Sequence, residues 1–166
     1  METKIKLNKK DVIKVLIEDE NGNDTGNYLE FDLQDISLPL RYQQMIEEHK
    51  KNKNYLTMSF ALIDKKPNHE GKKALSSNDE EKFKVVNEFY KREMKILDLV
   101  LGEGGTKKIL NGRNPYYEMF DDIIEYLEPL SDIFDKSYKN IKERITNKYK
   151  DAKLEDNNTL ELLEDE

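Results

Sequence analysis

Five residues near the middle of the chain have the composition of a phosphate-binding loop. Gly102, Gly104 and Gly105 are followed by Lys107 and Lys108. A P-loop, however, needs four residues between two glycines, then Lys and Ser or Thr, directly after a strand. Here the glycines follow an apolar helical pattern, and Gly-Lys-Ser/Thr does not occur. We therefore predict a helix stop with a tight reversal, for which glycine supplies positive φ, and no cofactor.

The histidines and the acidic turn near the N-terminus could in principle bind a metal. Asp19, Asn21, Asn23 and Asp24 loosely resemble a calcium loop, but the closing acid and the flanking helices are missing. His49 and His69 have no partner at metal-ligand spacing. We expect an ordinary acidic turn, His49 on the surface or half-buried on a helix face, a solvated His69, and no metal site.

Carboxylates are plentiful, and Asp121, Asp122 and Glu125 lie near the start of a predicted helix. Acids at that position are favoured by the helix dipole, which explains them without catalysis. The chain has no cysteine, so thiolate metal sites and cysteine nucleophiles are excluded. We therefore predict no catalytic residues and a protein that is not an enzyme.

Charge is unevenly distributed along the 166 residues, whose net value is −7. Residues 136–150 carry +5 and residues 151–166 carry −6. The negative total makes nucleic acid an unlikely partner. On a helix the lysines of 136–150 fall beside or opposite the tyrosines, which is typical of a solvated face. Binding to an acidic partner, or to the acidic end of the same chain, stays open.

Composition limits the class of protein. Hydrophobic residues make up 36% and charged residues 38%, so the core must be lean and built from helices with one apolar face. No run reaches the roughly 18 apolar residues of a membrane span. The basic N-terminus is not followed by a cleavable apolar stretch, so we expect no signal peptide and a cytoplasmic protein.

The N-terminal part predicts a β-hairpin over residues 11–35. Residues 12–17 are β-branched, and in 28–33 Leu29, Phe31 and Leu33 alternate on one face. Residues 19–26 form a loop rich in turn residues. Because two strands are marginal alone, the hairpin must pack on something else.

The rest, residues 38–150, predicts three or four helices. Residues 40–50 favour a helix that Asn52 and Asn54 could interrupt, and 55–63 could be helix or strand. A capping box of Ser77 with Glu80 begins a helix that ends at Gly102. A short turn over 106–111 ends at Gly112, and Asn114 caps the next helix with Pro115 at its first position.

The last helix has the clearest periodicity in the chain, and Pro129 should kink or split it. Its apolar residues recur at spacings of three and four: Tyr116, Phe120, Ile123, Leu127, Leu130, Phe134, Tyr138, Ile141, Ile145 and Tyr149. We predict an α+β, mainly helical protein with a single domain over 1–150. A disordered acidic tail follows over 151–166.

Part of the sequence resembles a known family. The residues that carry the resemblance are Leu99-Val100-Leu101-Gly102-Glu103-Gly104-Gly105-Thr106, its continuation to Asn114, and Leu127-Glu128-Pro129-Leu130. The family is that of the small tail assembly chaperones of long-tailed bacteriophages and prophages of low-GC Gram-positive bacteria. The resemblance covers about residues 25–135. It implies a protein of the bacterial cytoplasm that binds the tape-measure protein and keeps it soluble until the tail tube polymerises.

The candidate contact surface is the stripe Tyr138, Ile141, Ile145 and Tyr149, which lies beyond the compact part. The same stripe could be core or the seam of a homo-oligomer. Two other functions remain open: a tail or baseplate component retained in the virion, and a small regulatory protein of a mobile element. Six residues are predicted to be structural rather than functional: Gly102, Gly104, Gly105, Gly112, Asn114 and Pro115.

Overall fold

The computed structural model describes residues 4, 5, 7, 10–71 and 75–163, and of residues 151–163 the backbone alone. Within this part of the chain an antiparallel hairpin precedes the helices, which confirms the predicted α+β, mainly helical class. The elements are β1 (Val12–Glu18), β2 (Asp24–Asp32), α1 (Leu38–Asp64), α2 (Ser77–Leu101), α3 (Gly105–Leu110) and α4 (Tyr117–Leu163).

The hairpin pairs Val12 with Asp32 and Leu16 with Tyr28, and a bulge follows Leu16. Its turn is shorter than predicted. Asp24, Thr25 and Gly26 belong to β2 rather than to the loop, because the Thr25 hydroxyl donates to the Ile17 carbonyl oxygen at 2.7 Å and holds this end of the strand against β1.

The apolar face of the hairpin packs on the helices, as its marginal size requires. Leu29 and Phe31 are buried, as predicted, and Leu33 is partly buried. The Phe31 ring lies 5.4 Å from the ring of Phe134 in α4, and the Ser137 hydroxyl donates to the Leu33 carbonyl oxygen at 2.6 Å. The hairpin therefore covers the middle of α4.

Helix α1 runs without a break through Asn52 and Asn54, so these residues do not interrupt it, and of the two alternatives for 55–63 the structure has the helix. Asn52 is tolerated because its amide nitrogen donates across to α2. It contacts the Phe89 carbonyl oxygen at 3.1 Å and Glu93 Oε1 at 2.7 Å. A tertiary contact thus overrides the weak helix propensity of asparagine.

Helix α2 begins one residue earlier than predicted, with Ser76 rather than Ser77 as N-cap. Ser76 Oγ accepts from the Asp79 amide at 3.1 Å, and Asp79 accepts from the Ser76 amide, which completes the capping box. The Ser77 hydroxyl instead accepts from the His69 amide. Glu80 therefore does not serve as the capping acid.

The glycine loop reverses the chain between α2 and α3, as predicted. In this loop Gly102 and Gly104 have φ of 84° and 73°, and Gly112, which follows α3, has φ of 83°. This is the region of φ that favours glycine. Gly105 is needed for a different reason, because a Cβ there would lie 2.4 Å from the Leu101 Cβ.

Asp98 and Thr106 hold this reversal closed. The buried Thr106 hydroxyl lies 2.6 Å from Asp98 Oδ1, which also accepts from the Thr106 amide at 2.8 Å. Asp98 Oδ2 accepts from the Gly104 amide at 3.0 Å. A single carboxylate therefore closes the loop, with backbone amides and a hydroxyl as donors and no phosphate needed.

Helix α4 begins at Tyr117, so Asn114 and Pro115 lie in the preceding connection and not at its cap and first position. The Tyr117 ring stacks on Phe89 of α2 at 5.7 Å, a tertiary contact that anchors the first turn. Pro129 lies inside α4 and does not split it. The predicted disordered state of 151–166 stays a prediction, because the side chains of 151–163 and residues 164–166 lie outside the described residues.

The core lies where the hairpin, α1, α2 and α4 meet. From α4 it takes only the first half of the predicted stripe, including Phe120, Ile123, Leu127 and Phe134. Within the described ranges, no helix combines the length and the apolar character needed to cross a bilayer.

Candidate functional site

The second half of α4 extends away from the core. A helix of 47 residues is about 70 Å long at about 1.5 Å per residue. A compact chain of this size has a radius of gyration of only about 15 Å. Among the α4 residues whose side chains the structure describes, 117–150, Phe134 is the last to be buried, and every side chain from 142 to 150 is exposed. The structure thus presents a helical arm beyond Phe134 that is exposed over residues 142–150.

The four predicted contact residues lie on this arm, and they form what we call the α4 stripe. Tyr138 and Ile141 are half-buried at its base, whereas Ile145 is 58% exposed and Tyr149 is 69% exposed. Their spacing of three, four and four residues puts them on one face of the helix. The outer half of the stripe is therefore not part of the core of this chain.

Basic side chains flank the α4 stripe. At about 100° per residue, Lys142 and Lys148 fall about 60° to either side of it, and Arg144 lies about 100° from it, on the same side as Lys148. All three are exposed. An apolar strip between rows of positive charge is suited to an amphipathic helix with acidic flanks.

A buried polar cluster that was not predicted from the sequence joins α1, α2 and α4. Glu93 is fully buried, and its Oε2 lies 2.8 Å from His49 Nδ1. His49 Nε2 lies 3.1 Å from Asp121 Oδ1, and Lys53 Nζ donates to both Asp121 oxygens at 2.8 Å. The hydrogen bond to Asp121 raises the pKa of the Lys53 ammonium.

Two predictions are corrected by this cluster. His49 is only 8% exposed rather than on the surface or half-buried, because both of its ring nitrogens face carboxylates from other helices. Asp121 is an ion-pair partner, and the helix dipole alone does not account for it. A signal was present in the sequence, since Glu93 interrupts the apolar stripe of α2 and the pair His49 and Asn52 shares one face of α1.

The cluster holds α1, α2 and α4 together, and we call it the structural clamp. Each of its charges has an opposite charge or a hydrogen-bond donor from a neighbouring helix. The side-chain oxygen of Asn52, Oδ1, is buried and has no hydrogen-bond partner among the described residues. The carboxylates of Glu93 and Asp121 lie on opposite sides of the imidazole ring, which does not suit a shared metal ion. The described residues contain no group of three acids or histidines that could hold one.

In the turn that loosely resembled a calcium loop, the Asp19 carboxylate accepts hydrogen bonds from the turn itself. Asp19 Oδ1 accepts from the amides of Asn21 and Asn23, both at 2.8 Å. The hydrogen bond from the Asn23 backbone lowers the pKa of Asp19 most, and the Asn23 side chain and the Asn21 backbone act in the same direction. The turn is thus a self-capped acidic turn, as expected.

An apolar cleft of about 280 Å³ lies between β1, α3 and α4. Its walls include Ile17, Leu101 and Ile123, and Arg113 and Asp122 lie among the lining residues. Arg113 is paired with Glu20 at 2.6 Å. The cleft brings together no nucleophile with an adjacent base.

Of the six residues predicted to be structural, five lie in the connections between α2, α3 and α4, and Gly105 is the first residue of α3. The Asn27 amide of the hairpin contacts this region, donating to Asn111 Oδ1 at 3.2 Å. Comparison of the chain with models of protein families, with characterised proteins and with solved structures gave no match.

Proposed function

We propose that this protein is a non-enzymatic assembly chaperone that binds apolar helices of a client through the α4 stripe. The single observation that carries the proposal is the exposure of Ile145 and Tyr149 on a helix that has left the core. Isolated apolar side chains on a surface are ordinary. Two more at its base, Tyr138 and Ile141, continue the same face toward the core, which is typical of helix-in-groove recognition.

The client we propose is the tape-measure protein of a long-tailed phage or prophage. The sequence resemblance of residues 25–135 supports this identity, and the exposed stripe supports the mode of binding. A long client helix exposes apolar surface that would aggregate in isolation. The acidic exterior of this chain, with its net charge of −7, would keep the complex in solution. The proposed compartment is the cytoplasm of the bacterial host.

The test is affinity purification of the tagged chain from its native cells during prophage induction, with mass spectrometry of the bound proteins. We expect a long, helix-rich phage protein in stoichiometric amount. The paired substitution I145D/Y149D should abolish its recovery. The matched control L62D alters a side chain of α1 that is 60% exposed, and it should leave recovery unchanged.

Two results would contradict the proposal. Equal loss with I145D/Y149D and with L62D would show that the stripe has no special role. The presence of this protein in purified phage particles would favour the alternative of a structural tail or baseplate component, because a chaperone is released before the particle matures.

A further inference from the structure

The part of α4 beyond Phe134 contains two segments of opposite charge. We call residues 136–150 the basic segment and residues 151–163 the acidic segment; their net charges are +5 and −3. Helix α4 continues through their junction and ends at Leu163. Because the helix is continuous there, the acidic segment cannot turn back along the basic segment of the same copy.

The α4 stripe runs along the basic segment, and in the part of the chain that the structure describes its outer half is uncovered. Ile145 and Tyr149 contribute apolar surface, and Lys142 and Lys148 border it. A helix that covers this stripe gains most if it carries negative charge. The acidic segment of a second copy has that charge.

The charge pattern also determines the relative direction of two such helices. In a parallel pair, the basic segments would face each other, and so would the acidic segments, which is repulsive throughout. In an antiparallel pair centred near Asp151, the basic segment of each copy lies on the acidic segment of the other. The two contacts are then related by a twofold axis, which is the commonest symmetry of homo-oligomers.

We propose that two copies of this chain pair antiparallel through the C-terminal part of α4, with the acidic segment of each covering the α4 stripe of the other. Residues 138–163 would overlap over about 39 Å at about 1.5 Å per residue. The inference goes beyond the proposed function, because it holds for any client. It also implies that a client must compete with the second copy for the same stripe.

The test is sedimentation equilibrium of the full chain at low and high salt. We expect a species of twice the 19.7 kDa chain mass at low salt and at least tenfold weaker association near 1 M salt, where the Debye length is only about 3 Å. Reversal of the basic segment (K142E/R144E/K148E) should give a monomer. So should reversal of the acidic segment (E155K/D156K/E161K).

The decisive sample is an equimolar mixture of these two variants. Only in the mixture does each reversed segment face a segment of opposite charge, so the dimer should return. A matched control reverses three exposed lysines of α2 (K84E/K91E/K95E) and should leave the wild-type dimer intact. Circular dichroism checks that every variant keeps its helical content.

Three outcomes would overturn the proposal. A wild-type chain that stays monomeric at low salt and at about 0.5 mM lacks the pairing. Dimers formed by either variant alone would place the seam elsewhere. Failure of the mixture to dimerise would show that charge complementarity between the two segments does not drive association. None of these outcomes bears on client capture, which is measured separately.

Discussion

Glu93 Oε2 lies 2.8 Å from His49 Nδ1, and the Glu93 side chain is completely buried. The same carboxylate accepts from the Asn52 amide through Oε1, at 2.7 Å. One acid of α2 therefore satisfies two polar side chains of α1. Because a buried charge without a partner is costly, the three residues depend on one another.

We expect Glu93→Ala to reduce the free energy of unfolding by about 3–5 kcal/mol, because two buried side chains, His49 and Asn52, each lose a hydrogen-bond partner at about 1–3 kcal/mol and the truncation leaves a cavity. Glu93→Gln should cost much less, because its amide oxygen can still accept from Asn52 and its amide nitrogen can hydrogen-bond with His49 Nδ1. Urea denaturation followed by circular dichroism measures both. The control is Glu88→Ala, an exposed acid of the same helix. A Glu93→Ala variant as stable as this control would contradict the clamp.

Gly104 and Gly105 should respond differently to asparagine. Gly104 is needed for its φ of 73°, and no atom within 4 Å obstructs a side chain there. Asparagine tolerates this region better than alanine does, so Gly104→Asn should be more stable than Gly104→Ala, which costs about 1–2 kcal/mol.

At Gly105 the obstacle is the Leu101 side chain, so alanine should cost about 1–3 kcal/mol through overpacking. Gly105→Asn should be no more stable than Gly105→Ala, because asparagine carries the same Cβ. Thermal denaturation of the four variants measures the two Asn-minus-Ala differences. Equal differences at the two positions would refute the assignment of separate causes.

The Asp35 carboxylate should make stability depend on pH in the acid range. Burial by itself would raise its pKa, but hydrogen bonds from the Ser37 amide and hydroxyl and the charge of Arg41 together lower it. Arg41 also donates to the Leu99 carbonyl oxygen at 2.9 Å, which ties the start of α1 to the end of α2.

Because the pKa of Asp35 in the folded chain lies below its ordinary value of 3.8, its contribution is complete above that value and is lost as the pH falls through the folded pKa. We expect Asp35→Asn to be less stable than wild type by about 1–2 kcal/mol at neutral pH, with the gap narrowing below about pH 4. Urea denaturation across this range measures the gap. Asp132→Asn, at an exposed position of α4, is the control, and a gap independent of pH would contradict the prediction.

Phe134 lies in the buried half of α4 and Ile145 lies on the arm, so substitutions at these two positions should change the stability by different amounts. Phe134→Ala should reduce the free energy of unfolding by about 3–5 kcal/mol, because its ring packs against Phe31. Ile145→Asp should change it by less than about 0.5 kcal/mol, measured at a concentration at which the chain is monomeric. A large loss with Ile145→Asp would show that the stripe is covered within one copy.

Local patterns determined most of the elements in advance. The alternation of Leu29, Phe31 and Leu33 and the turn residues before them specify the hairpin, because a period of two places all three on one face. The long stripe of α4 specifies a helix in the same way. Gly102 ends α2 as predicted, because its positive φ of 84° is a local requirement.

Boundaries and polar contacts were decided by the tertiary structure. Whether Asn52 interrupts α1 depends on Phe89 and Glu93, which lie on another helix, and no local pattern contains them. His49, Glu93 and Asp121 are far apart in the sequence, and only the packing of three helices brings their charges within hydrogen-bond distance.

The α4 stripe distinguishes most clearly between what local sequence specifies and what tertiary packing specifies. The apolar residues from Phe120 to Tyr149 share one face whatever surrounds them, because the helical period is a property of the chain alone. Which half of that face is buried was decided by where the hairpin and α1 stop covering it, after Phe134. Burial depends on neighbours that are distant in sequence, so only the folded structure distinguishes core from arm.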